Sequence, residues 1–580
     1  MDSTICAAAA MLEALAAQQL TGIPGLMKAF LILFVIQYLG LKYYRIFLYP
    51  KYFSPLRHIP GPQDNHFFFG QALNLLRAET PTALYIKWMR EHPDVPLLRY
   101  LTFGNGEVIV CNSPDSFKEV LQTKCYSFRK SDYFNRLTKE FIGYGLITME
   151  GEAHRAHRKM ISPVFSLNNI RRLEPVLQNK AKEVTWLFDR AIDANNGGAT
   201  AIDCTDTFMR ATLDAVGVAL FGVDISSLKE TPMSNADKGS QRAAEGREKT
   251  FGFHEAYDGI FGQDTLGKTL MYANAFVPVR WMPLETNRKY LFAAKWLDDF
   301  LTQLVRNRTR DIRAAYAAGK YVRGEARDLL TFIIEESLPG GSAEEITEEE
   351  IVGDLIQLMA AGHDTSANIL SWSLYIMATK QDIQDKLREE MVRELGEASE
   401  PTYTQIDALP YLDNFTRETL RVYASGRSSP TSPTLCSIDT LPGKHNDPNG
   451  NANIATTNHR QAVVDETICG VSIPKGTTFD IVPHVTLMNP LIWGDDVDEF
   501  DPTRWDRLSE EARSPYAFST FSNGPRVCIG RSFAFREIKI FLVEMVRNYR
   551  FLAVEGSFTV ETPSLTLRPR GLRILLEKRS

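Results

Sequence analysis

Paired cysteines are missing from this chain. Its seven cysteines, Cys6, Cys111, Cys125, Cys204, Cys436, Cys469 and Cys528, are scattered through 580 residues with neither disulfide-like nor zinc-like spacing. That pattern argues against a disulfide framework and for a reducing compartment. A cationic excess is missing too: Lys and Arg number 65 against 71 Asp and Glu, a formal net charge of −6, so no nucleic-acid partner is expected. No internal repeat recurs and no long linker divides the chain, which makes one large domain plus an appendage the simplest organisation. Nor does a strand-like run lead into Gly-x-Gly-x-x-Gly, so the chain carries no dinucleotide or flavin fingerprint of its own.

What is present gathers around Phe521-Ser522-Asn523-Gly524-Pro525-Arg526-Val527-Cys528-Ile529-Gly530. One cysteine sits in a Gly-Pro loop just ahead of a run whose apolar residues (Phe533, Ile538, Phe541, Leu542, Met545) recur at helical spacing. A sulfur at a helix start meets the positive end of the helix dipole and unpaired N–H groups, both of which favour a thiolate. A thiolate serves as nucleophile or as metal ligand, and no histidine lies nearby in sequence to act as a base.

A second chemical cluster lies on a long helix. Thr347-Glu348-Glu349-Glu350 has capping-box spacing, and a proline-free apolar pattern runs from Ile351 to about Met377. In its middle stands Ala361-Gly362-His363-Asp364-Thr365-Ser366, a composition that disfavours a straight helix. A Thr hydroxyl turned to the carbonyl four residues back opens a polar notch there. Glu418 and Arg421 share one helical face, as do His154 and Arg158 in Gly-Glu-Ala-His-Arg-Ala-His-Arg-Lys.

Phe-x-x-Gly-x-Arg-x-Cys-x-Gly resembles, position by position, the haem-binding loop of the cytochrome P450 family, and the likeness covers about residues 56 to 575 in the family's motif order. The resemblance implies a mainly α fold with a small β-region and an N-terminal transmembrane helix, of the microsomal, fungal-like type. It makes Cys528 the axial ligand of haem b iron, with Phe521 beside the sulfur, Gly530 completing the loop and Arg526 pairing with a propionate. His154, Arg158 and Arg460 are the further propionate partners. Ala361 and Gly362 leave room for dioxygen, and Asp364 and Thr365 deliver protons. Glu418, Arg421 and Arg504 (in Phe500-Asp501-Pro502-Thr503-Arg504-Trp505) form a structural triad. The implied reaction inserts one oxygen atom of dioxygen into a lipophilic substrate, by hydroxylation or epoxidation. Its electrons come from NADPH through a separate reductase, with cytochrome b5 as a second donor. A haem-thiolate isomerase or dehydratase is the alternative, and the Asp364-Thr365 pair argues against it.

The ends and loops add detail. Residues 1–22 read as a tail and 23–41 as a membrane anchor of bilayer-spanning length; 42–62 is a basic, aromatic and Pro-rich hinge, and 63–580 is the catalytic domain. Lys42, Arg45, Lys51 and Arg57 put the catalytic domain on the cytoplasmic side of a single-pass anchor, in the endoplasmic reticulum by the resemblance. A signal peptide and a buried core helix are the competing readings of 23–41, and no small-residue cleavage site follows. Leu173 to Phe221 and Leu270 to Trp281 read as helical, the latter within a substrate lid by the resemblance. The pocket is expected from Ser127–Gly145, Ile260–Phe276, Leu358–Ala361, Thr456–Thr457 and Ser564–Thr566. Between Arg421 and Arg460 the chain departs from the family's spacing: Gly426 to Ile454 is an excess of polar, Pro- and Asn-rich sequence. It reads as a translated intron or gene-model error, or as a genuine surface insertion that displaces a loop beside the pocket and impairs activity.

Overall fold

The computed structural model describes residues 2–21, 26–78, 80, 82–230, 252–324, 328–341, 346–396, 400–423, 458–561 and 568–579. Gly426–Ile454, Thr456–Thr457 and Ser564–Thr566 therefore lie outside the described residues.

Helical periodicity dominates the chain and ends where backbone chemistry ends it. The segment expected as a tail is helical, α1 (Asp2–Thr21), and the segment expected as an anchor forms α2 (Leu26–Tyr43). The expected hinge begins late, because the helix winds on through Tyr44–Phe53 with Pro50 inside it. Proline lacks an N–H, and a widened winding, in which Ser54 N donates to Tyr49 O at 2.8 Å, accommodates it. The stretch Leu26–Phe53 is long and apolar enough to cross a membrane, and no residue of its most apolar window is fully buried in protein.

The catalytic domain is built around one central helix. After α3 (Gly151–Ile161), the region expected as one helical run divides into α4 (Glu174–Ala194), a short strand β4 (Thr200–Asp203) and α5 (Cys204–Phe221). Asn196 and Gly197 adopt positive φ (56° and 77°) between them, which ends α4 and turns the chain. Then come α6 (Phe253–Phe261) and α7 (Glu285–Ala317); between them the expected helix Leu270–Trp281 stops at Asn274, short of Pro278. Central to all of these is α8 (Glu348–Thr379), 32 residues and about 48 Å long. The Thr347 hydroxyl caps its start, accepting from Glu350 N at 3.2 Å while Glu350 accepts from Thr347 N at 2.9 Å. Packed around α8 are α5, α7, α9 (Pro410–Tyr423) and α10 (Arg531–Asn548), whose buried faces form the main core.

The β-region is small. One sheet runs β1 (Leu97–Leu101), β2 (Glu107–Cys111), β8 (Thr478–Ile481), β5 (Asn458–Ala462), β3 (Phe128–Lys130), with β2 and β8 parallel and the other pairs antiparallel. Its register sets Lys130 opposite Arg460. A second sheet joins β4, β12 (Arg573–Lys578) and β9 (Tyr549–Glu555), and a hairpin pairs β10 (Thr559–Glu561) with β11 (Arg568–Arg570). Hairpin and sheet bring the C-terminal end of the chain against α8.

Candidate functional site

Gly524 shapes the loop that carries Cys528. It has φ +69°, and a Cβ there would come within 2.1 Å of Leu121 O, so only glycine lets the loop lie against 119–123. The loop closes on itself: Cys528 N donates to Phe521 O at 2.8 Å, and Val527 N to Gly524 O at 3.0 Å. Phe521 packs on Phe535, with centroids 5.4 Å apart. Burial raises the Cys528 thiol pKa, while the Gly530 and Arg531 amides and the charges of Arg158 and Arg531 pull the other way. The helix start therefore does not produce a thiolate unaided. A metal cation at the sulfur would, since a coordinated thiol gives up its proton.

Positive charge collects on one side of this loop. Arg526 pairs with Glu150 and donates to Met149 O at 3.2 Å; Lys130 reaches the same Glu150 at 3.1 Å. Arg460 is buried, and its Nη1 donates to the adjacent carbonyl of His459 at 3.1 Å. Its burial and the Arg526 charge lower its pKa to about 10. Lys130 falls to about 7, chiefly through burial and then Arg526, with Glu150 opposing. His154, buried on α3, falls to about 4 through burial and then Arg526, Lys130 and Arg158, and its Nδ1 has no hydrogen-bond partner among the described residues. Arg158 is lowered by burial. Burying so much positive charge is costly without an anion. Among the described residues one carboxylate, Glu150, stands against Lys130, Arg158, Arg460 and Arg526 here, and the surplus fits a dianionic group such as haem. Lys130 and Glu150 were not legible in the sequence, since neither belongs to a motif.

On α8 the cluster at 361–366 is uninterrupted helix. The Thr365 hydroxyl donates to Ala361 O at 2.8 Å, as the sequence predicts. Asp364 pairs with Arg568 of β11 and accepts from Asn368 at 3.4 Å. A Cβ on Gly362 would meet Val216 of α5 at 3.1 Å, so the absence of a side chain there lets α5 approach α8 closely. His363 stands edge-on to Tyr257 at 4.3 Å, and burial lowers its pKa to about 4. Facing this turn from α10 is Glu537, fully buried, with no hydrogen-bond partner for either oxygen among the described residues. Burial drives its carboxyl up to about 8, against a weaker opposing effect of Ser366. An acid inside the apolar run after Cys528 is the sequence signal that could have found it. A polar cavity of about 280 Å³ lined by Asp206, His254, Tyr257, Asp258 and Arg568 lies behind Asp364.

One turn earlier, α8 grips the loop 142–148. Asp354 accepts from Leu146 N at 2.9 Å and pairs with His157 of α3. Gln357 accepts from Ile147 N at 2.6 Å and donates to the carbonyls of Ile142 and Gly143 at 3.2 and 3.3 Å. A Cβ on Gly353 would meet Tyr144 O at 2.0 Å. Polar residues at Asp354 and Gln357 in an apolar helix were the available signal.

Below the cysteine loop lies a charged brace. Arg421 grips Glu418 with two bonds, 2.7 and 2.9 Å, both residues fully buried. Arg504 Nε stands 3.6 Å from the same carboxylate, to which Trp505 Nε1 donates at 3.0 Å and Asp501 N at 3.1 Å. The Arg421 guanidinium also donates to the carbonyls of Leu487 and Val497, each at 3.0 Å. Thr520 then links the start of the cysteine loop to Leu420 O at 3.3 Å.

Comparison with known proteins agrees with this geometry. The cytochrome P450 family profile matches residues 60–432 and 452–576. The chain is 27% identical over 523 residues to cytochrome P450 monooxygenase sphH of Aspergillus fumigatus, covering 88% of this chain and 85% of that protein. It is 27% identical over 569 residues to FUM15 of Gibberella moniliformis (89% and 86%), and 28% identical over 521 residues to monooxygenase 128 of Postia placenta (87% and 88%). A thiol-bearing loop flanked by surplus buried cations, on a helical domain that matches the family from residue 60 to 576, leads to one conclusion: this chain belongs to the cytochrome P450 family and is a fungal-type P450 monooxygenase.

Proposed function

We propose that the chain is a membrane-anchored monooxygenase that inserts one atom of dioxygen into a lipophilic small molecule, by hydroxylation or epoxidation. The observation that carries the reading is the buried cation surplus beside Cys528: Lys130, Arg158, Arg460 and Arg526 against Glu150, with His154 left a free ring nitrogen. Bound haem b supplies oxygen activation. Cys528 would hold its iron through the thiolate, with Phe521 and Gly530 keeping the loop closed around the sulfur, and His154, Arg158, Arg460 and Arg526 would receive the propionates.

Proton supply falls to α8. Asp364 is held by Arg568 and the Thr365 hydroxyl by Ala361 O, so each must turn from its partner to pass a proton toward dioxygen. The polar cavity behind Arg568 supplies water to the carboxylate. Ala361 faces the pocket, and Gly362 sets how closely α5 approaches. The clamp on 142–148 fixes one pocket wall. Electrons come from NADPH through a separate reductase, with cytochrome b5 as a second donor, and the Leu26–Phe53 helix holds the catalytic domain at the cytoplasmic face of the endoplasmic reticulum.

The reduced carbon monoxide difference spectrum of the holoprotein tests the site. A thiolate-type band is expected in the natural chain and its loss in Cys528→His; a haem-replete natural chain without that band overturns the assignment. Substrate-dependent NADPH and oxygen consumption with a reductase separates the monooxygenase from an isomerase or dehydratase.

A second reading rests on the break in the family match between 432 and 452. We infer that Gly426–Ile454 contains coding sequence foreign to the fold, a translated intron or gene-model error. A transcript joining Ser425 to Ala455 is expected; one that encodes the whole segment makes it a genuine insertion and leaves a catalytically impaired protein as the competing outcome.

A further inference from the structure

The N-terminal 21 residues carry no part of the catalytic machinery, yet they are not an isolated helix. α1 runs antiparallel to α2: Asp2 pairs with Lys42 at 3.2 Å and with Arg45 at 2.8 Å, while halfway along Gln37 donates to Glu13 at 2.7 Å. Cys6, Ala10 and Ala14, one turn apart, are buried against α2. The opposite faces carry apolar side chains that no protein covers, Leu12 (70% exposed) and Ile5 on α1, Ile32, Ile36 (61%) and Leu39 on α2.

Lengths and polarity match a bilayer. Twenty residues in α1 and eighteen in α2 extend about 30 and 27 Å, close to a hydrocarbon core of about 30 Å. On α1 the polar residues stand at the ends, Asp2, Ser3 and Thr4 at one and Gln18, Gln19 at the other. Glu13 is the exception, and it is bonded to Gln37, as a polar group in hydrocarbon must be. Its run of apolar residues is too short and too interrupted to insert alone; paired with α2, its polar atoms are satisfied. The ion pairs also fix the orientation. Lys42 and Arg45 belong to the basic stretch that stays on the cytoplasmic side, and Asp2 is bound to both.

We propose that α1 and α2 enter the bilayer together as an antiparallel hairpin, with lipid acyl chains covering their outer faces. The chain then crosses twice, and Asp2 lies on the same side as the catalytic domain. This replaces the single crossing read from the sequence, and it rests on the reading of α2 as a membrane span. Topology mapping of the full chain in sealed microsomes tests it. One variant carries an N-glycosylation acceptor on an N-terminal extension, a second carries an acceptor loop between Thr21 and Leu26. The hairpin predicts an endoglycosidase-sensitive mobility shift in the second alone, with the N-terminal extension digested by protease added outside. Glycosylation of the N-terminal extension instead overturns the hairpin and leaves a single span. No glycosylation of either, with the protein resisting alkaline carbonate, overturns it in favour of helices lying in the cytoplasmic leaflet. No glycosylation together with release by carbonate overturns both the hairpin and the anchor beneath it.

Discussion

The brace under the cysteine loop and the cation shelf beside it are both dense with buried charge, yet they are finished to different degrees. In the brace every charge has its counterpart: Glu418 accepts four bonds, from Arg421 twice, Trp505 and Asp501, Arg421 donates to three carbonyls besides, and Arg504 pairs with Asp496, its Nε alone lacking a hydrogen bond among the described residues. On the shelf Arg460 donates to its neighbour's carbonyl, His154 Nδ1 has no partner among the described residues, and burial pushes Lys130, His154, Arg158 and Arg460 toward their neutral forms. A site satisfied within the protein stabilises the fold by itself. A site with surplus charge is stabilised by what binds it.

Breaking the brace is the largest effect. Glu418→Ala strands the buried Arg421 guanidinium, while Arg504 keeps its pair with Asp496 at 2.6 Å, and removing one partner of a buried pair costs about 3–5 kcal/mol; the expected outcome is loss of soluble holoprotein, read as yield and urea midpoint, with partial recovery in Glu418→Gln.

Next come two titrations of opposite sign close to the α8 notch. Glu537 is raised to about 8, so between about pH 4.5 and 8 the folded state holds a proton the unfolded state has lost, and stability falls as pH rises. By pH 7 that amounts to about 3 kcal/mol. Urea unfolding of Glu537→Gln is expected to lose this decline and to exceed the natural chain at pH 7. His363 is lowered to about 4; between about pH 6.5 and 4 the unfolded state binds the proton first, so stability falls as pH falls, by on the order of 2 kcal/mol. His363→Phe is expected to flatten that acid limb, and an unchanged limb would count against the buried neutral imidazole.

Smallest for the fold, and sharpest for the contrast, is Arg460→Leu. Without haem it is expected to change the free energy of urea unfolding by less than about 1 kcal/mol, because a buried charge without an ion-pair partner within 4 Å among the described residues is removed. With haem it is expected to speed haem transfer to an acceptor apoprotein about tenfold, equivalent to about 1.4 kcal/mol. An equal loss with and without haem would put Arg460 in the same class as the brace.

What the sequence showed follows the reach of local pattern. Cys528 with Gly524, Thr365 over Ala361, Arg421 three residues after Glu418 and the cap at Thr347 all depend on neighbours within a few positions, so spacing alone exposed them. The partners that complete the site are far away in the chain: Arg568 meets Asp364 across 204 residues, and Arg526 meets Glu150 across 376. No periodicity records such pairs. The packing of Gly362 was hidden for a related reason, since its closeness to Val216 of α5 spans 146 residues of chain. The helical run Leu173–Phe221 misled because its break depends on two residues of positive φ, Asn196 and Gly197.

The grip of α8 on 142–148 has a consequence for how this enzyme can change. Asp354 and Gln357 hold amides and carbonyls, and Gly353 receives the backbone of Tyr144. Of the loop's side chains the grip reads only that of Thr148, whose hydroxyl accepts from Gln357 at 3.3 Å, and the small residues Gly143, at positive φ, and Gly145, where a Cβ would meet Asp354 at 2.7 Å. Tyr144 and Ile147 can therefore be exchanged while the loop keeps its course and Leu146 stays in the core, so where this loop walls the proposed pocket, mutation can redraw what the pocket accepts without first having to rebuild its wall.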